Sequence, residues 1–362
     1  MSDDSFRDFF ERATGIKEGP YPYQERLAEA RVESRLIHIP TGSGKTAAVI
    51  LAWLWRRRFH LDLSVRASTP RRLVYCLPMR VLVEQTRTST VLWLHRLGLL
   101  AGKATLDPTG ERVLRYESTC YAPDKITVAT LMGGDANDEW REHPEQDLLL
   151  IGTQDMLVSR ALNRGYAAWP QDWPVEFGLL NTDALWVMDE VQLMGPARTT
   201  SVQLDLFADD EERVRGDEQL PPRHTIWMSA TLGATEGQTE APAWMRTPEW
   251  GDQPLTVPVA GKRDDDLAVK EFNDRWIAPK RLDLRVRPAE AAAQETTRRR
   301  RAKAEPQPET AWTADSDELV EGILKEATRA PSRTVIVFVN RVDRARNLFN
   351  PNYAQIEARV GI

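Results

Sequence analysis

The chain has 362 residues, of which 41% are hydrophobic and 28% charged, and its formal net charge is −6. These values are typical of a globular protein with one large domain or two ordinary ones. The acidic balance excludes a globally basic nucleic-acid binder, so any nucleic-acid binding must use a local groove.

Cysteine content and hydropathy indicate in which cellular compartment the protein is expected. The chain contains two cysteines, Cys76 and Cys120, which argues against a disulfide framework and for a reducing compartment. No apolar run approaches the ~18 residues of a membrane span, and the acidic N-terminus does not resemble a signal peptide. The five histidines do not occur at metal-ligand spacing. We therefore expect a cytoplasmic protein with no membrane partner, whose only metal accompanies a nucleotide.

A proline- and tyrosine-rich segment introduces the first functional pattern. Residues 19–23 read Gly-Pro-Tyr-Pro-Tyr, and a helix is predicted to begin near Gln24. The Gln24 amide can both donate to and accept from an adenine edge, and Tyr23 can stack on the adenine ring. The alternative is that Gln24 only caps or packs the helix.

The next segment indicates a phosphate-binding loop. Residues 39–46 read Ile-Pro-Thr-Gly-Ser-Gly-Lys-Thr, after a β-prone run and before a helix-forming run. In this context the loop wraps backbone N–H groups around the phosphates of ATP, Lys45 reaches the β- and γ-phosphates, and Thr46 faces Mg²⁺. The loop residues expected to contact ATP are Thr41, Gly42, Ser43, Gly44, Lys45 and Thr46.

Strands and helices alternate after this loop. Apolar runs at 72–77, 125–130 and 148–151 predict strands, and helical patterns follow the first and the third. The arginines at 56–58 are expected to form a solvated, positively charged helix end. Strand ends that contain Gly or Thr leave backbone N–H groups available for phosphates.

A fifth predicted strand, at 183–188, delivers Asp189 and Glu190 to its carboxyl end, where ligands gather in open α/β sheets. Two adjacent carboxylates after a buried strand need a nearby cation, and the nucleotide bound at the phosphate loop brings Mg²⁺. We therefore expect Asp189 to hold this Mg²⁺ through water. Glu190 is expected to orient and deprotonate the attacking water. A sixth strand, at 224–228, ends in Ser229 and Thr231, whose hydroxyls can link the carboxylates to neighbouring groups.

Composition predicts three segments along the chain. Residues 1–286 form the ATP-binding lobe, and residues 287–314 form a linker or mobile insertion because Ala, Arg, Glu, Gln and Pro dominate there. The arginine run at 298–301 fits a solvated tether, with contact to a phosphate backbone as the alternative. Residues 315–362 are predicted to start a second α/β lobe, with a strand at 334–339.

Taken together, these segments resemble the superfamily 2 helicases over residues 21–342. The resemblance implies an α/β, RecA-like P-loop NTPase with a parallel sheet flanked by helices, followed by the start of a second RecA-like lobe. It implies adenine sensing by Tyr23 and Gln24, and coupling of hydrolysis to movement through Gln192, Ser229 and Thr231. The positions that match single-strand contacts of the family's first lobe are Pro78, Arg80, Gln85, Gly133, Gly134, Thr153 and Gln154.

The segment 186–196, which contains Asp189-Glu190-Val191-Gln192, is similar to the helicase-nuclease of type I CRISPR systems. This resemblance implies a complete protein that joins an RNA-guided surveillance complex and reels in and degrades the displaced single-stranded DNA. The family's last helicase motifs, with their arginine finger, have no counterpart before Ile362, and neither does its His-Asp nuclease dyad. We therefore expect an N-terminal portion of the motor, with weak ATP hydrolysis.

Two other interpretations stay open. The chain could belong to another superfamily 2 DNA or RNA motor, because the motifs do not separate DNA from RNA. It could also be a short ATP-binding module that docks on a partner without turnover.

Overall fold

The computed structural model describes residues 5–119, 121–133, 135–136, 139–215, 221–230, 245 and 259–277. The chain divides into two compact units, residues 1–279 and 280–362, and every described residue lies in the first. The positions predicted to form a linker and the start of a second lobe therefore lie outside the described residues.

Helices and strands alternate along this unit. The helices are α1 (Phe6–Thr14), α2 (Pro22–Glu29), α3 (Lys45–Leu54), α4 (Leu63–Ser68), α5 (Arg80–Arg96), α6 (Gln154–Ala161), α7 (Trp173–Asn181), α8 (Pro196–Arg215), α9 (Asp264–Ala268) and α10 (Lys270–Ile277). The strands are β1 (Arg35–His38), β2 (Arg72–Leu77), β3 (Gly102–Leu106), β4 (Val113–Ser118), β5 (Thr127–Met132), β6 (Asp135–Ala136), β7 (Leu148–Thr153), β8 (Ala184–Met188), β9 (His224–Ser229) and β10 (Val259–Ala260).

One large sheet organises the unit, with the strand order β10-β1-β9-β8-β2-β7-β5-β6. Seven of these strands are parallel, and only the two-residue β6 runs antiparallel, beside β5. All seven parallel strands therefore end on the same side, which we call the carboxyl edge, and begin on the opposite side, the amino edge. Connections at the carboxyl edge come together in space although they are far apart in sequence.

The central strands are apolar throughout because helices cover both faces of the sheet. In β2, Leu73, Tyr75 and Leu77 join one core cluster, while Val74 and Cys76 join the other. Helices α1, α2, α3 and α5 complete the first cluster, and α6, α7 and α8 complete the second. This three-layer arrangement confirms the predicted parallel sheet flanked by helices. Among the described helices, none combines the length and the hydrophobicity needed to cross a membrane.

The prediction of a solvated arginine cluster after α3 is wrong. Helix α3 continues into a π-helical turn, Trp55–Phe59, and the side chain of Arg56 is buried there. Its guanidinium donates to two carbonyl groups at the end of α2, at 2.6 and 3.2 Å, and burial lowers the pKa of Arg56 to about 9. Arg57 and Arg58 both pair with Asp147, at 3.0 and 2.6 Å. These arginines fasten the helix layer to the sheet.

A hairpin of β3 and β4 covers the outer side of β5, and the sequence did not predict it. The hydroxyl groups of Ser118 and Tyr116 both donate to the carbonyl oxygen of Val128 in β5, at 3.0 and 3.4 Å. The hairpin thus satisfies polar groups along a sheet edge that would otherwise pair with another chain. Its strands alternate charged and apolar residues without a long apolar run, so their signal is weak.

Candidate functional site

The predicted phosphate loop follows β1 at the carboxyl edge. Gly42 and Gly44 have φ of 83° and 75°, in the left-handed region that favours glycine. A Cβ on Gly44 would lie 2.8 Å from Nε2 of Gln24, whereas a Cβ on Gly42 would meet nothing within 4 Å. Gly44 is also the N-cap of α3, so the loop ends at a helix N-terminus with its partial positive charge.

The carbonyl groups of this loop are held by α2. The Tyr23 hydroxyl donates to the carbonyl oxygen of Ser43 at 2.6 Å, and Nε2 of Gln24 donates to that of Gly44 at 3.0 Å. The other end of the Gln24 amide accepts from the N–H of Tyr21 at 2.8 Å. Tyr23 and Gln24 are 5% and 2% exposed. The structure thus brings both residues to the phosphate loop, where the Gln24 amide holds backbone groups at each end.

Lys45 lies at the centre of the loop and is buried. Its Nζ donates to the carbonyl oxygens of Ile39 and Pro40 at 3.1 and 3.3 Å, and lies 3.9 Å from Oε1 of Glu190. A single cation therefore joins the loop after β1 to the carboxylate after β8. The structure brings together these two predicted site residues from positions 145 apart in the sequence.

Asp189 follows β8 and is 7% exposed. Its oxygens accept from the Tyr75 hydroxyl at 2.7 Å and from the N–H of Glu190 at 2.9 Å. Burial is the largest influence on this carboxyl and raises its pKa, while the Tyr75 hydrogen bond acts in the opposite direction. A carboxylate held at both oxygens has a fixed orientation toward the phosphate loop.

Tyr75 is a site residue that the sequence analysis missed. It lies within the apolar strand β2 and is fully buried, so its position suggests only packing. Its pKa is raised well above the ordinary value, first by burial and then by the charge of Asp189, and a hydrogen bond with the Thr46 side chain opposes this rise. The phenol therefore lies between the two residues predicted to serve Mg²⁺.

A chain of polar side chains connects the ends of β8 and β9. Oγ of Ser229 donates to Oε1 of Gln192 at 2.6 Å, and Nε2 of Gln192 donates to a carboxylate oxygen of Glu190. Glu190 has φ of 52°, which is uncommon for a residue with a Cβ and is found disproportionately at functional sites. The structure thus brings together Glu190, Gln192 and Ser229, whereas Thr231 lies outside the described residues.

The residues present fit the phosphates of a nucleotide and one hard cation. Within the described ranges, the buried Oγ of Ser43 has no hydrogen-bond partner, and it lies in the predicted phosphate loop. No group of three or more His, Cys, Asp or Glu side chains in the described ranges is placed to hold a metal. Mg²⁺ needs no such group, because it is usually held by one or two protein oxygens together with phosphate oxygens. Thr46 and Asp189 supply such oxygens.

The predicted nucleic-acid contacts occupy the other half of the carboxyl edge. Pro78, Arg80 and Gln85 follow β2, Gly133 follows β5, and Thr153 and Gln154 join β7 to α6. The strands β2, β7 and β5 are neighbours in the sheet, so these positions form one continuous stretch beside β8, β9 and β1, which carry the predicted ATP-site and coupling residues. The side chains of Arg80 and Gln85 are exposed. Gly134 lies outside the described residues.

The parallel sheet and the glycine-rich loop at the start of α3 define a P-loop nucleotide-binding protein. Residues 21–239 match the family model described as "DEAD/DEAH box helicase", which covers more than half of the chain. The chain therefore belongs to the DEAD/DEAH box helicase family, within superfamily 2. This membership confirms the predicted RecA-like fold.

Several solved helicase structures are similar to this chain. The yeast DEAD-box splicing factor Prp28 is 20% identical, with a TM-score of 0.37, over 62% of this chain and 44% of that one. The Mycobacterium smegmatis helicase Lhr bound to single-stranded DNA and AMP-PNP is 18% identical, with a TM-score of 0.47. The match covers 100% of this chain and 37% of Lhr. The helicase MrfA bound to DNA is 16% identical, with a TM-score of 0.42, and the match covers 72% of this chain and 28% of MrfA.

This chain spans less than half the length of each of these structures. No curated protein sequence matches the chain significantly.

Proposed function

We propose that the chain is the ATP-binding part of a helicase or translocase that moves on single-stranded nucleic acid. One observation carries this proposal: the residues suited to ATP follow β1, β9 and β8, and those suited to a nucleic-acid strand follow β2, β7 and β5, along one continuous edge. In a motor protein the nucleotide site and the nucleic-acid site must be coupled, and adjacent sites allow a change at the nucleotide to alter the contacts with the nucleic-acid strand.

The roles of the ATP-site residues follow from their contacts. The loop N–H groups and Lys45 bind the β- and γ-phosphates, and Thr46 and Asp189 hold Mg²⁺, which neutralises phosphate charge. Glu190 accepts a proton from the attacking water and orients it. Tyr23 and Gln24 hold the loop carbonyls, and the Gln24 amide also caps the first turn of α2, so their contacts support a role in shaping the loop rather than direct contact with adenine.

The polar chain from Glu190 through Gln192 to Ser229 is proposed to couple hydrolysis to strand movement. A change in charge at the γ-phosphate alters the contacts of Glu190, and the two hydrogen bonds pass this change to the end of β9. Both partners of Gln192 are needed, because its amide donates to one and accepts from the other. This arrangement supports the coupling role of Ser229 that the resemblance implies.

We further propose single-stranded DNA as the track and an RNA-guided CRISPR surveillance complex as the partner. The support is the likeness of residues 186–196 to the helicase-nuclease of type I CRISPR systems. Phosphate contacts alone do not separate DNA from RNA, since strand contacts of this kind are made mainly to the backbone. The choice of DNA therefore rests on that likeness.

A phosphate-release assay tests the proposal. The chain is incubated with ATP and Mg²⁺, alone or with single-stranded DNA, single-stranded RNA or duplex DNA, and Lys45→Ala is the control. The proposal requires slow release that depends on Lys45, and any stimulation is expected to be small and greatest with single-stranded DNA. Release that is unchanged in Lys45→Ala would contradict the ATP site, and stronger stimulation by RNA than by DNA would contradict the DNA assignment.

A second experiment tests the partner. An R-loop assembled by a purified type I surveillance complex is compared with the same DNA in duplex form, and binding of the chain to each is measured. Preferential binding to the R-loop complex supports the CRISPR role, and equal binding to both contradicts it.

A further inference from the structure

The segment that contains β10, α9 and α10 lies beyond the residues matched by the family model, yet it packs beside the nucleotide site. Strand β10 pairs with β1, which leads into the phosphate loop. Phe272 of α10 is fully buried, with its ring centroid 5.4 Å from that of Tyr21 and 6.0 Å from that of Tyr23. The segment therefore contacts the helix that holds the loop carbonyls.

Asp266 is the polar centre of this contact. Its side chain is 0% exposed, and one of its oxygens accepts from the N–H of Tyr23 at 2.7 Å. The other accepts from the N–H of Arg263 at 2.9 Å and from the guanidinium of Arg26 at 2.6 Å. The N–H of Tyr23 belongs to the first turn of α2 and has no partner within that helix. Asp266 therefore caps α2 from a position 243 residues later in the chain.

Helix α2 in turn determines how the phosphate loop can present its N–H groups. A loop whose N–H groups point toward a phosphate must direct its carbonyl groups elsewhere, and these need donors of their own. Tyr23 and Gln24 provide two of these donors, for the carbonyls of Ser43 and Gly44. A shift of α2 by a fraction of an ångström lengthens both hydrogen bonds and loosens the loop.

We propose that Asp266 is a positioning residue for the nucleotide: by capping α2 it aligns Tyr23 and Gln24 with the phosphate loop. This inference rests on the proposed function of that loop. It assigns to the segment 259–277 a part in ATP binding. Asp266 does not contact the nucleotide itself and acts only through α2.

Titration of a fluorescent ATP analogue onto the full chain tests this inference. Asp266→Ala is expected to weaken affinity about tenfold, which corresponds to about 1.4 kcal/mol, because Tyr23 and Gln24 lose their alignment with the loop carbonyls. Asp265→Ala is the matched control, since Asp265 also pairs with Arg26 but is half exposed and does not contact Tyr23. It is expected to bind within twofold of the wild type.

Combination with Tyr23→Phe separates positioning from a general loss of structure. Because Asp266 is proposed to act through both Tyr23 and Gln24, the loss of affinity in the double variant is expected to be smaller than the sum of the two single losses. Additive losses, or wild-type affinity of Asp266→Ala in a folded chain, overturn the inference. Each variant is measured below its unfolding transition, and Asp266→Leu, which removes both carboxylate oxygens but keeps a similar volume, replaces the alanine variant if that fails to fold.

Lys45→Ala in the same series keeps the two proposals apart. If this variant binds as tightly as the wild type, the phosphate-loop assignment fails and the Asp266 inference fails with it. If Lys45→Ala loses affinity while Asp266→Ala keeps it, only the inference about Asp266 is overturned.

Discussion

The two edges of the sheet both bury charged side chains, but they use them differently. At the amino edge, Arg72 is 6% exposed and donates to three backbone carbonyl groups at 2.8, 2.9 and 3.0 Å. Asp147 at the same edge pairs with two arginines that follow α3. Arg72 and Asp147 are thus paired at short distances with groups of the protein itself, and they connect the strands of the sheet to the neighbouring helices and loops.

The carboxyl edge arranges its buried polar groups around a glycine-rich loop. Nζ of Lys45 lies 3.9 Å from Oε1 of Glu190, which is longer than a hydrogen bond. The buried hydroxyl of Ser43 has no hydrogen-bond partner among the residues that the structure describes. Glu190 also adopts an uncommon backbone conformation. Buried polar groups are costly when they lack partners, so an edge arranged in this way is suited to a ligand rather than to stability. Missing partners alone do not distinguish the two edges, because Arg71 and Arg223 at the amino edge also have buried nitrogens without a hydrogen-bond partner among the described residues. The binding edge is marked by the combination of a glycine-rich loop, a buried lysine and a strained carboxylate residue.

The largest effect is expected from Glu190→Gln, which leaves the shape of the carboxyl edge unchanged but removes the base. Turnover should fall by about 10²–10⁴-fold while ATP still binds, because Asp189 and Lys45 remain. Steady-state phosphate release and nucleotide titration on the same sample measure the two quantities. If turnover persists at the wild-type rate, the base is another group.

At the amino edge, Asp147→Ala should affect stability and leave the nucleotide site unchanged. The substitution removes the carboxylate shared by Arg57 and Arg58, and we expect a loss of about 2–3 kcal/mol in the free energy of unfolding. Urea denaturation followed by tryptophan fluorescence measures this loss. A nucleotide affinity that falls in parallel, in the folded chain, would show that the two edges are not separate.

A smaller effect is expected from Tyr75→Phe. The Tyr75 ring is part of the core, whereas its hydroxyl bonds to Asp189 at the carboxyl edge, so this variant separates packing from metal binding. The variant keeps the ring and loses the hydrogen bond to Asp189, worth about 1 kcal/mol. We expect affinity for ATP with Mg²⁺ to fall severalfold, and affinity in the presence of EDTA to change less. An equal change under both conditions would mean that Tyr75 does not act through the metal ligand.

Sequence analysis predicted the elements that have a long apolar run or a phosphate-loop pattern. The strands β1, β2, β7, β8 and β9 lie within a few residues of their predicted positions, and β5 begins at Thr127 rather than at 125. The parallel order followed from the alternation with helices. The positions of Lys45, Asp189 and Glu190 at one edge then followed from the rule that connections gather at the carboxyl ends of parallel strands.

Other features could not be predicted because they depend on contacts between distant residues. Nothing near Arg56 in the sequence shows that a π-helical turn buries it against the end of α2. Tyr75 looks like any apolar residue of a buried strand until Asp189 is placed beside it. Asp266 lies in an acidic run that reads as solvent-exposed, and only the fold brings it to Tyr23.

The most direct test of the central claim is a pair of measurements on Lys45→Ala: nucleotide titration and urea unfolding. The claim that the carboxyl edge serves a ligand predicts affinity for ATP with Mg²⁺ at least tenfold weaker than in the wild type, because the cation for the β- and γ-phosphates is gone. It also predicts a free energy of unfolding within about 1 kcal/mol of the wild type. Unchanged affinity in a folded variant, or a large loss of stability with affinity retained, would contradict the claim.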